Sequence, residues 1–231
     1  MLLNEPNNDI LLIYQGNISD GKAREYYENG NIKYEGEYLN GKAHGHGILY
    51  FSNCNKFYEG EFENDKKHGH GILYFPNYNK EYEGEFINNI MHGKGIEYHK
   101  NGKIKYEGEW KEDKKNGYGT LYQPNKIYYK GQFKNNKKNS QGTYYNENHK
   151  IIYNGNFVND FMHGKGTLYN KNGNKQYEGE FKDNKRNGHG ISYYEGKMIY
   201  EGEFKNNKPN GIGIYYYENG NIKYESGVKS G

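Results

Sequence analysis

A five-residue pattern, Tyr-Glu-Gly-Glu followed by an aromatic residue, returns along this chain every 23 or 24 residues. Full copies stand at positions 34–38, 58–62, 82–86, 106–110, 177–181 and 200–204, and looser copies begin at Tyr14, Tyr129, Tyr153 and Tyr224. Self-similarity at a fixed period of this length is typical of repeat proteins, in which each unit packs against its neighbours. The period therefore limits the fold before any single element is considered.

A second signature, a Gly-x-Gly pair, follows most copies of the first. A β-branched residue and then a tyrosine come after it, as in Ile72 and Tyr74, and both residue types favour strands. The copy at Ser140 has lost its first glycine. We predict a structural role for the paired glycines Gly45, Gly47, Gly69, Gly71, Gly93, Gly95, Gly117, Gly119, Gly164, Gly166, Gly188, Gly190, Gly211 and Gly213.

The pattern predicts that each repeat forms a β-hairpin. Side chains alternate between the two faces of a strand, so Tyr58, Gly60 and Phe62 share one face and the intervening glutamates share the other. Asn-rich segments, which tolerate a positive φ, separate the strands. No segment has a helical period with caps.

The core of such a hairpin has to be built from tyrosine and glycine. Hydrophobic residues make up 32% of the chain and the mean hydropathy is −1.28, whereas Tyr supplies 28 residues and Gly 33. We expect aromatic rings to lie in a trough left by glycines, with Gly60 opposite Gly71 and Phe62 opposite Gly69. A register shifted by one residue would instead put Ile72 and Tyr74 on the aromatic face, and the sequence leaves this alternative open.

One hairpin is marginally stable in water, so the hairpins have to stack side by side. The predicted fold class is all-β: an elongated open antiparallel β-meander solenoid of tandem hairpins. About eighteen strands at about 4.8 Å each would extend on the order of 85 Å. We assign residues 1–13 to an N-terminal lead-in or cap strand, 14–223 to about nine repeats, and 224–231 to a truncated C-terminal repeat or cap.

Composition and charge exclude several function classes. The formal net charge of +3 gives no bulk attraction to nucleic acid, so no nucleic-acid partner is expected. Cys54 is the single cysteine and can form neither an internal disulfide nor a thiolate metal cluster. The chain has no apolar run of membrane-spanning length and no basic leader before residue 13. We therefore expect a cytoplasmic protein, with peripheral association at a membrane or the cytoskeleton as an alternative.

The run Tyr58 to Phe62, followed by His68 to Gly71 at this period, resembles the MORN (membrane occupation and recognition nexus) repeat. The resemblance covers nearly the whole chain, from about Tyr14 to Tyr224. The first unit, Asp20 to Gly30, is shorter and resembles a variant form of the repeat. The resemblance implies an antiparallel β-meander scaffold, often dimeric, that binds helical or extended segments of partner proteins. The repeats leave no room for a catalytic domain, so we expect no enzyme activity and no cofactor.

Partner binding along the aromatic and glycine-lined face is the first functional prediction, with exposed rings as the anchors. A regulatory subunit, similar to an antitoxin that neutralises a partner enzyme, differs from this prediction only in its partner, and a homodimer is a further possibility. The predicted face consists of Tyr34, Tyr38, Tyr58, Phe62, Tyr82, Phe86, Tyr106, Trp110, Phe133, Tyr153, Phe157, Tyr177, Phe181, Tyr200 and Phe204.

Binding of phosphoinositide or other anionic membranes is the alternative, because basic residues recur in equivalent hairpin loops and would form a ridge. The candidate lipid-binding residues are Lys66, Lys67, Lys114, Lys115, Lys137, Lys138, Lys185 and Arg186. A parallel stripe of paired glutamates, such as Glu59 and Glu61, opposes this prediction. A mixed, solvated surface is the simpler interpretation of both features.

The histidines and serines give no specific catalytic or metal signal. His44 and His46, like His68 and His70, stand two apart on a strand and could share a metal. Other repeats place lysine or tyrosine at the same position, so we predict no metal site. The serines share no sequence context with a histidine and a carboxylate, so no nucleophile is predicted.

Overall fold

The computed structural model describes residues 20–123 and 126–228. The cap strand predicted for residues 1–13 lies outside the described residues. Within the described ranges the chain forms eighteen β-strands and no helix. The chain divides into two compact units, Met1–Lys114 and Lys115–Gly231.

The first unit contains eight strands, each seven to nine residues long. They are β1 (Asp20–Tyr26), β2 (Ile32–Leu39), β3 (Lys42–Tyr50), β4 (Lys56–Glu63), β5 (Lys66–Tyr74), β6 (Lys80–Ile87), β7 (Ile90–Tyr98) and β8 (Ile104–Lys111). Each of the strands β1 to β7 pairs antiparallel with the next one along the chain.

The second unit contains ten strands, the first of which begins at the boundary. They are β9 (Lys114–Tyr122), β10 (Ile127–Lys134), β11 (Lys137–Tyr145), β12 (Ile151–Val158), β13 (Phe161–Tyr169), β14 (Lys175–Lys182), β15 (Lys185–Tyr194), β16 (Lys197–Lys205), β17 (Lys208–Tyr216) and β18 (Ile222–Val228). These strands also pair only with their sequence neighbours. The predicted all-β, open antiparallel meander of tandem hairpins is thus confirmed.

Two-residue turns join the strands within each hairpin. In the turn between β4 and β5, Asn64 has φ 51° and Asp65 has φ 66°. Positive φ at both central residues defines a type I′ turn, whose twist matches that of the flanking strands. Asparagine and aspartate tolerate this region better than other residues with a side chain, which explains the Asn-rich segments.

The register is as predicted at the centre of the hairpin but differs near the turn. Tyr58 pairs with Leu73 and Gly60 with Gly71, so the alternative shifted register is wrong. Phe62, however, pairs with Lys67 and not with Gly69, because a bulge lets one residue of β4 face three residues of β5. The bulge is the physical reason for the error, since a sequence pattern assumes a regular ladder.

Gly69 makes this bulge possible. Its φ of 63° is a conformation that residues with a side chain rarely adopt. The carboxylate of Glu61 folds over it and accepts a hydrogen bond from the His70 backbone N–H at 3.0 Å. The next repeat has the same bond, from the Lys94 N–H to Glu85, also at 3.0 Å. The second glutamate of the pattern is therefore a structural residue here.

The tyrosine that begins each repeat fills the hairpin. A Cβ on Gly71 would overlap the ring of Tyr58, and one on Gly60 would lie 2.7 Å from its hydroxyl oxygen. The ring is fully buried, and its hydroxyl donates to the backbone carbonyl of Glu61, the bulge residue, at 3.0 Å. Since the bulge disturbs the ladder at this residue, the phenol supplies a hydrogen bond that phenylalanine could not.

Aromatic contacts link one hairpin to the next. The Tyr58 ring meets Phe62 of its own strand and Phe86 of the following repeat, both edge to face, with centroids 5.2 and 5.3 Å apart. In the second unit Tyr153 repeats this geometry with Phe157 and Phe181. Each such pair contributes about 0.5 to 1.5 kcal/mol beyond the burial of its area. This ladder of rings therefore stabilises the contact between neighbouring repeats.

Turn residues add a polar link between hairpins. The Asn89 side chain accepts from the Lys67 N–H at 2.7 Å, and the Asn89 N–H donates to the Lys67 carbonyl at 2.9 Å. Asp160 makes the same pair of bonds with Lys138 in the second unit. A turn side chain thus continues the hydrogen bonding between repeats beyond the end of the ladder.

We expect Tyr58→Phe to lower the free energy of unfolding by about 1 kcal/mol, because the Glu61 carbonyl loses its donor while the packing stays the same. Urea unfolding followed by circular dichroism measures this change. The control is Tyr78→Phe, at a tyrosine that is 70% exposed, for which we expect less than about 0.5 kcal/mol. Equal effects of the two substitutions would contradict the role given to the phenol.

Ser140 occupies the bulge position with φ 58°, where the other repeats have glycine. Because this conformation costs a residue with a side chain about 1 kcal/mol, we expect Ser140→Gly to stabilise the protein by roughly that amount. The measurement is the midpoint of urea unfolding, which should rise while the dependence of the unfolding free energy on urea concentration stays the same. Ser52→Gly, in a turn without positive φ, is the matched control and should give no gain.

Candidate functional site

The predicted aromatic partner-binding face is the interior of the meander. All fifteen of its residues, from Tyr34 to Phe204, are buried, with at most 5% of their surface exposed. A ring buried to this degree cannot contact a partner without leaving the core, so the expectation of exposed aromatic anchors is wrong. The cause is the ladder of rings, in which each repeat covers the tyrosine of its neighbour. On the aromatic face, meaning the side of the sheet that carries these rings, only other residues are accessible to a partner.

The residues beside the ring row are the accessible part of the aromatic face. The border row is the set of residues, one from each repeat, that pair with a core tyrosine, meaning the tyrosine that begins a repeat, from a neighbouring strand. In the first unit it consists of Leu49, Leu73 and Glu97. In the second unit it consists of Leu121, Tyr144, Leu168, Ser192 and Tyr215.

Most border residues are half-buried, and their chemistry changes from repeat to repeat. The core tyrosine and its two glycines do not change in this way. Packing within the repeats therefore does not determine the residue type at the border position, and this position can vary with a ligand. Sequence reasoning missed this row, although variation at one position of otherwise similar repeats was the signal that could have found it.

One repeat of the first unit places charges on the aromatic face. The Lys105 ammonium lies 2.6 Å from the carboxylate of Glu97, in the border row, and Glu81 lies beside them. Burial raises the pKa of Glu81, and the negative charge of Glu97 raises it further. The cluster distinguishes this repeat from its apolar neighbours.

On the opposite side of the sheet, the outer face, the first glutamate of each pattern is held by neighbours. Glu59 accepts from the Lys56 ammonium at 2.9 Å and from the Tyr74 hydroxyl at 3.1 Å. These bonds, that from Lys56 first, hold the pKa of Glu59 below its usual value. Glu83 has the equivalent bonds with Lys80 and Tyr98. A general acid or base would need a pKa raised toward neutrality, and Glu59 and Glu83 are shifted the other way.

The residues of the predicted basic ridge do not lie together: some are at the exposed hairpin ends and others point toward the aromatic face. Lys66, Lys114, Lys137 and Lys185 are exposed at the hairpin ends, whereas Lys115 is half-buried. Lys67 is 5% exposed and lies over the rings of Phe57 and Tyr58, so a lipid contact is wrong for it. Lys138 and Arg186 also turn onto aromatic rings. The strand alternation points the second member of each basic pair toward the core side.

The exposed hairpin ends of the second unit carry lysines directly opposite each other. The cross-strand pairs are Lys134 with Lys137, Lys182 with Lys185, and Lys205 with Lys208. Between the first two pairs lies an apolar hairpin end, formed by Val158 at 44% and Phe161 at 48% exposure. Like charges opposite each other destabilise a sheet, so these pairs cost stability without a ligand.

Histidine geometry gives no metal centre. Within residues 20–123 and 126–228 no group of three or more His, Cys, Asp or Glu side chains is arranged to hold a metal ion. The ring nitrogens Nδ1 of His68 and His163 face Glu63 and Asp183 at 3.3 and 3.6 Å. The same part of the chain has no helix with the length and apolarity needed to cross a bilayer.

Tandem hairpins in which each tyrosine packs on two glycines define an all-β repeat protein. The family described as "MORN repeat" matches residues 34–53, 58–80, 82–104, 106–126, 129–150, 153–175, 177–197 and 200–222. A "MORN repeat variant" matches residues 19–40, which agrees with the short first unit. The chain therefore belongs to the MORN repeat family. No protein with a curated description matches it.

Burial of the tyrosine row predicts a sharp alkaline transition. Burial is the main cause that raises the pKa of Tyr58, Tyr82 and Tyr106 above the ordinary value, and it raises that of Tyr177 to about 12. A raised pKa contributes stability that is complete below the unfolded value of about 10 and is lost as the pH rises through the folded value. We expect the free energy of unfolding to be insensitive to these groups up to about pH 9 and then to fall steeply.

The measurement compares tyrosinate absorbance with circular dichroism during an alkaline titration. Ionisation of the buried row and loss of strand signal should occur together. Gradual ionisation of all tyrosines near the ordinary pKa, with the fold intact, would contradict the burial of the row.

Proposed function

We propose that this protein is a non-enzymatic scaffold that binds a segment of a partner protein along the border row. The observation that carries the proposal is a half-buried row that adjoins a rigid aromatic core and changes its chemistry from repeat to repeat. Membership in the MORN repeat family is compatible with a repeat scaffold. A regulatory role toward an enzyme would use the same surface with a different partner.

The spacing of the border row limits the shape of the partner. Successive border residues lie two strands apart, which is about 10 Å. An α-helix advances about 10.5 Å in seven residues and a polyproline II segment about 9.3 Å in three, and each then presents the same side again. A β-strand presents opposite sides at a spacing of three residues. A helix with apolar residues at intervals of seven, or a polyproline II segment, therefore suits the row best.

Apolar contacts supply most of the expected affinity. Leu49 in the first unit and Leu168 in the second are half-buried, so a partner can still remove part of each from water. Full burial of a leucine is worth about 1.5 to 3 kcal/mol, and a few such anchors usually dominate an interface. Charged members such as Glu97 then select among apolar segments.

Proximity labelling in the native cell identifies the partner, and calorimetry with the isolated partner segment measures its affinity. We expect Leu49→Gln to weaken the binding of a segment on the first unit, and Leu168→Gln that of a segment on the second unit, at least about tenfold, or about 1.4 kcal/mol. Polar residues already occupy this position at Glu97 and Ser192, so the fold should tolerate the changes.

Lys94→Gln is the matched control, because Lys94 is exposed on the outer face. It should leave the affinity unchanged. Wild-type affinity in both leucine variants, or a loss in the Lys94 variant alone, would reject the border row as the binding surface.

The hairpin ends of the second unit favour a second candidate function, peripheral binding to an anionic membrane. Paired lysines flank the exposed apolar end formed by Val158 and Phe161, an arrangement suited to lipid headgroups with a shallow apolar contact. Each lysine near an anionic surface is worth about 1 kcal/mol.

Flotation with phosphoinositide vesicles at low salt tests this candidate. We expect the wild type to float and Lys137→Glu with Lys185→Glu to remove most of the bound fraction, whereas Lys94→Glu on the outer face should have little effect. A wild type that does not float, or a loss equal in both variants, would reject it.

A further inference from the structure

The second unit has a pocket on its aromatic face, beside a border position at which the residue type differs from that of the other repeats. It has a volume of about 370 Å³ and lies among β15, β16, β17 and β18. Its apolar walls include Ile199, Pro209 and Tyr215, and its polar lining includes Arg186 and Ser192. The volume falls within the range of about 300 to 1,000 Å³ typical of small-ligand sites.

The pocket arises at a border position that lacks a large side chain. Leu49, Leu73 and Leu168 stand at this position in other repeats, and each pairs with the core tyrosine of its hairpin. Ser192 takes the place of that leucine beside Tyr177. The smaller side chain leaves room and adds a hydroxyl group to the lining.

Arg186 brings a positive charge into this space. Its guanidinium carbon lies 5.5 Å from the ring centre of Tyr177 and 5.6 Å from that of Phe204. Nη1 donates to the Ser192 hydroxyl oxygen at 3.4 Å, a long bond. The two ring contacts hold the guanidinium on the aromatic face and leave further N–H donors for a ligand.

Lys138 stands at the position of Arg186 in another repeat, and there a carboxylate neutralises the positive charge. The two repeats can therefore be compared directly. The Lys138 ammonium lies 3.4 Å from the Asp160 carboxylate, and Tyr144 fills the border position beside it. At Arg186 the corresponding turn residue is Asn207, whose side-chain oxygen accepts from the Arg186 backbone N–H and brings no charge. Among the described residues no carboxylate forms an ion pair with Arg186.

A second cation lies at the edge of the pocket. Lys223 of β18 is exposed and belongs to the lining, and its ammonium lies 5.6 Å from the ring centre of Tyr217. The residues that line the pocket include these two cations and no aspartate or glutamate. An apolar space with two positive charges and a hydroxyl group is complementary to an anion that carries an apolar body.

We propose that this pocket binds an oxyanion, a carboxylate or a phosphate group, presented on an apolar body. The Arg186 guanidinium and the Ser192 hydroxyl hold the oxygens, Lys223 adds charge from the edge, and Ile199, Pro209 and Tyr215 contact the apolar part. The assignment goes beyond the proposed scaffold function and does not depend on it.

Arginine side-chain NMR provides a direct readout, because the chain has only two arginines, Arg24 and Arg186. Arg24 lies in the first unit, and its Nε already donates to Glu35 at 3.0 Å, so its Nε–Hε signal is an internal reference. The probes are phenylacetate, phenyl phosphate, inorganic phosphate and the neutral benzyl alcohol. We expect a saturable shift of the Arg186 Nε–Hε signal with phenylacetate or phenyl phosphate, and no shift at Arg24.

Two substitutions test whether probe binding depends on the pocket itself or only on positive charge at the protein surface. Ser192→Leu restores the residue found in other repeats and should weaken probe binding at least tenfold by filling the space. Arg186→Met introduces the residue of Met91 and Met162, which stand at the equivalent position, and should abolish binding, followed through the Tyr215 signals. Lys138→Met is the matched control and should leave probe affinity unchanged.

Three results would overturn the assignment. The first is the absence of any saturable shift at Arg186 with either aromatic anion. The second is a shift that persists in Ser192→Leu with wild-type affinity. The third is inorganic phosphate binding as tightly as phenyl phosphate, since the apolar walls would then contribute nothing. A phosphate preference over phenylacetate, or the reverse, identifies which oxyanion the pocket favours.

Discussion

The packing of a tyrosine ring on two facing glycines is the interaction on which the rest of this structure depends. Tyr58 occupies the space above Gly60 and Gly71, and any side chain at Gly71 would collide with the ring. The ring needs a polar partner for its hydroxyl, and the bulge carbonyl of Glu61 supplies it. The bulge in turn needs Gly69 in a left-handed conformation. A chain with few aliphatic residues obtains a core in this way, because each large aromatic side chain buries about 150 to 250 Å².

This core also decides where function can reside. Rings that meet edge to face across repeats are enclosed, so the aromatic residues stabilise the sheet and only their neighbours are accessible to a ligand. The border row varies between repeats because the ring and its glycines already satisfy the packing. Leu73 and Glu97 occupy equivalent positions with opposite chemistry. A repeat architecture thus separates residues that specify the fold from residues that are free to specify a ligand.

The charged residues follow the same division. The glutamate of the bulge caps a backbone N–H, and the first glutamate accepts from lysine and tyrosine, so the acidic stripe belongs largely to the structure. The basic pairs split between exposed hairpin ends and the aromatic face. Lys138 and Arg186 show how one turn residue changes the outcome, since Asp160 neutralises the first and Asn207 leaves the charge of the second uncompensated.

The sequence by itself determined the repeat, the hairpins and the turns, because these depend on local preferences and on a period of two. It favoured the pairing of Gly60 with Gly71 but left a register shifted by one residue open, and the structure decided between the two. It also identified the family. It could not locate the bulge, in which one residue of β4 faces three residues of β5, and so it misplaced Phe62. It could not decide which rings are buried or which member of a basic pair faces the core, because both depend on the neighbouring repeat. Tertiary packing decided these points, since exposure is a property of what lies beside a residue and not of the residue itself.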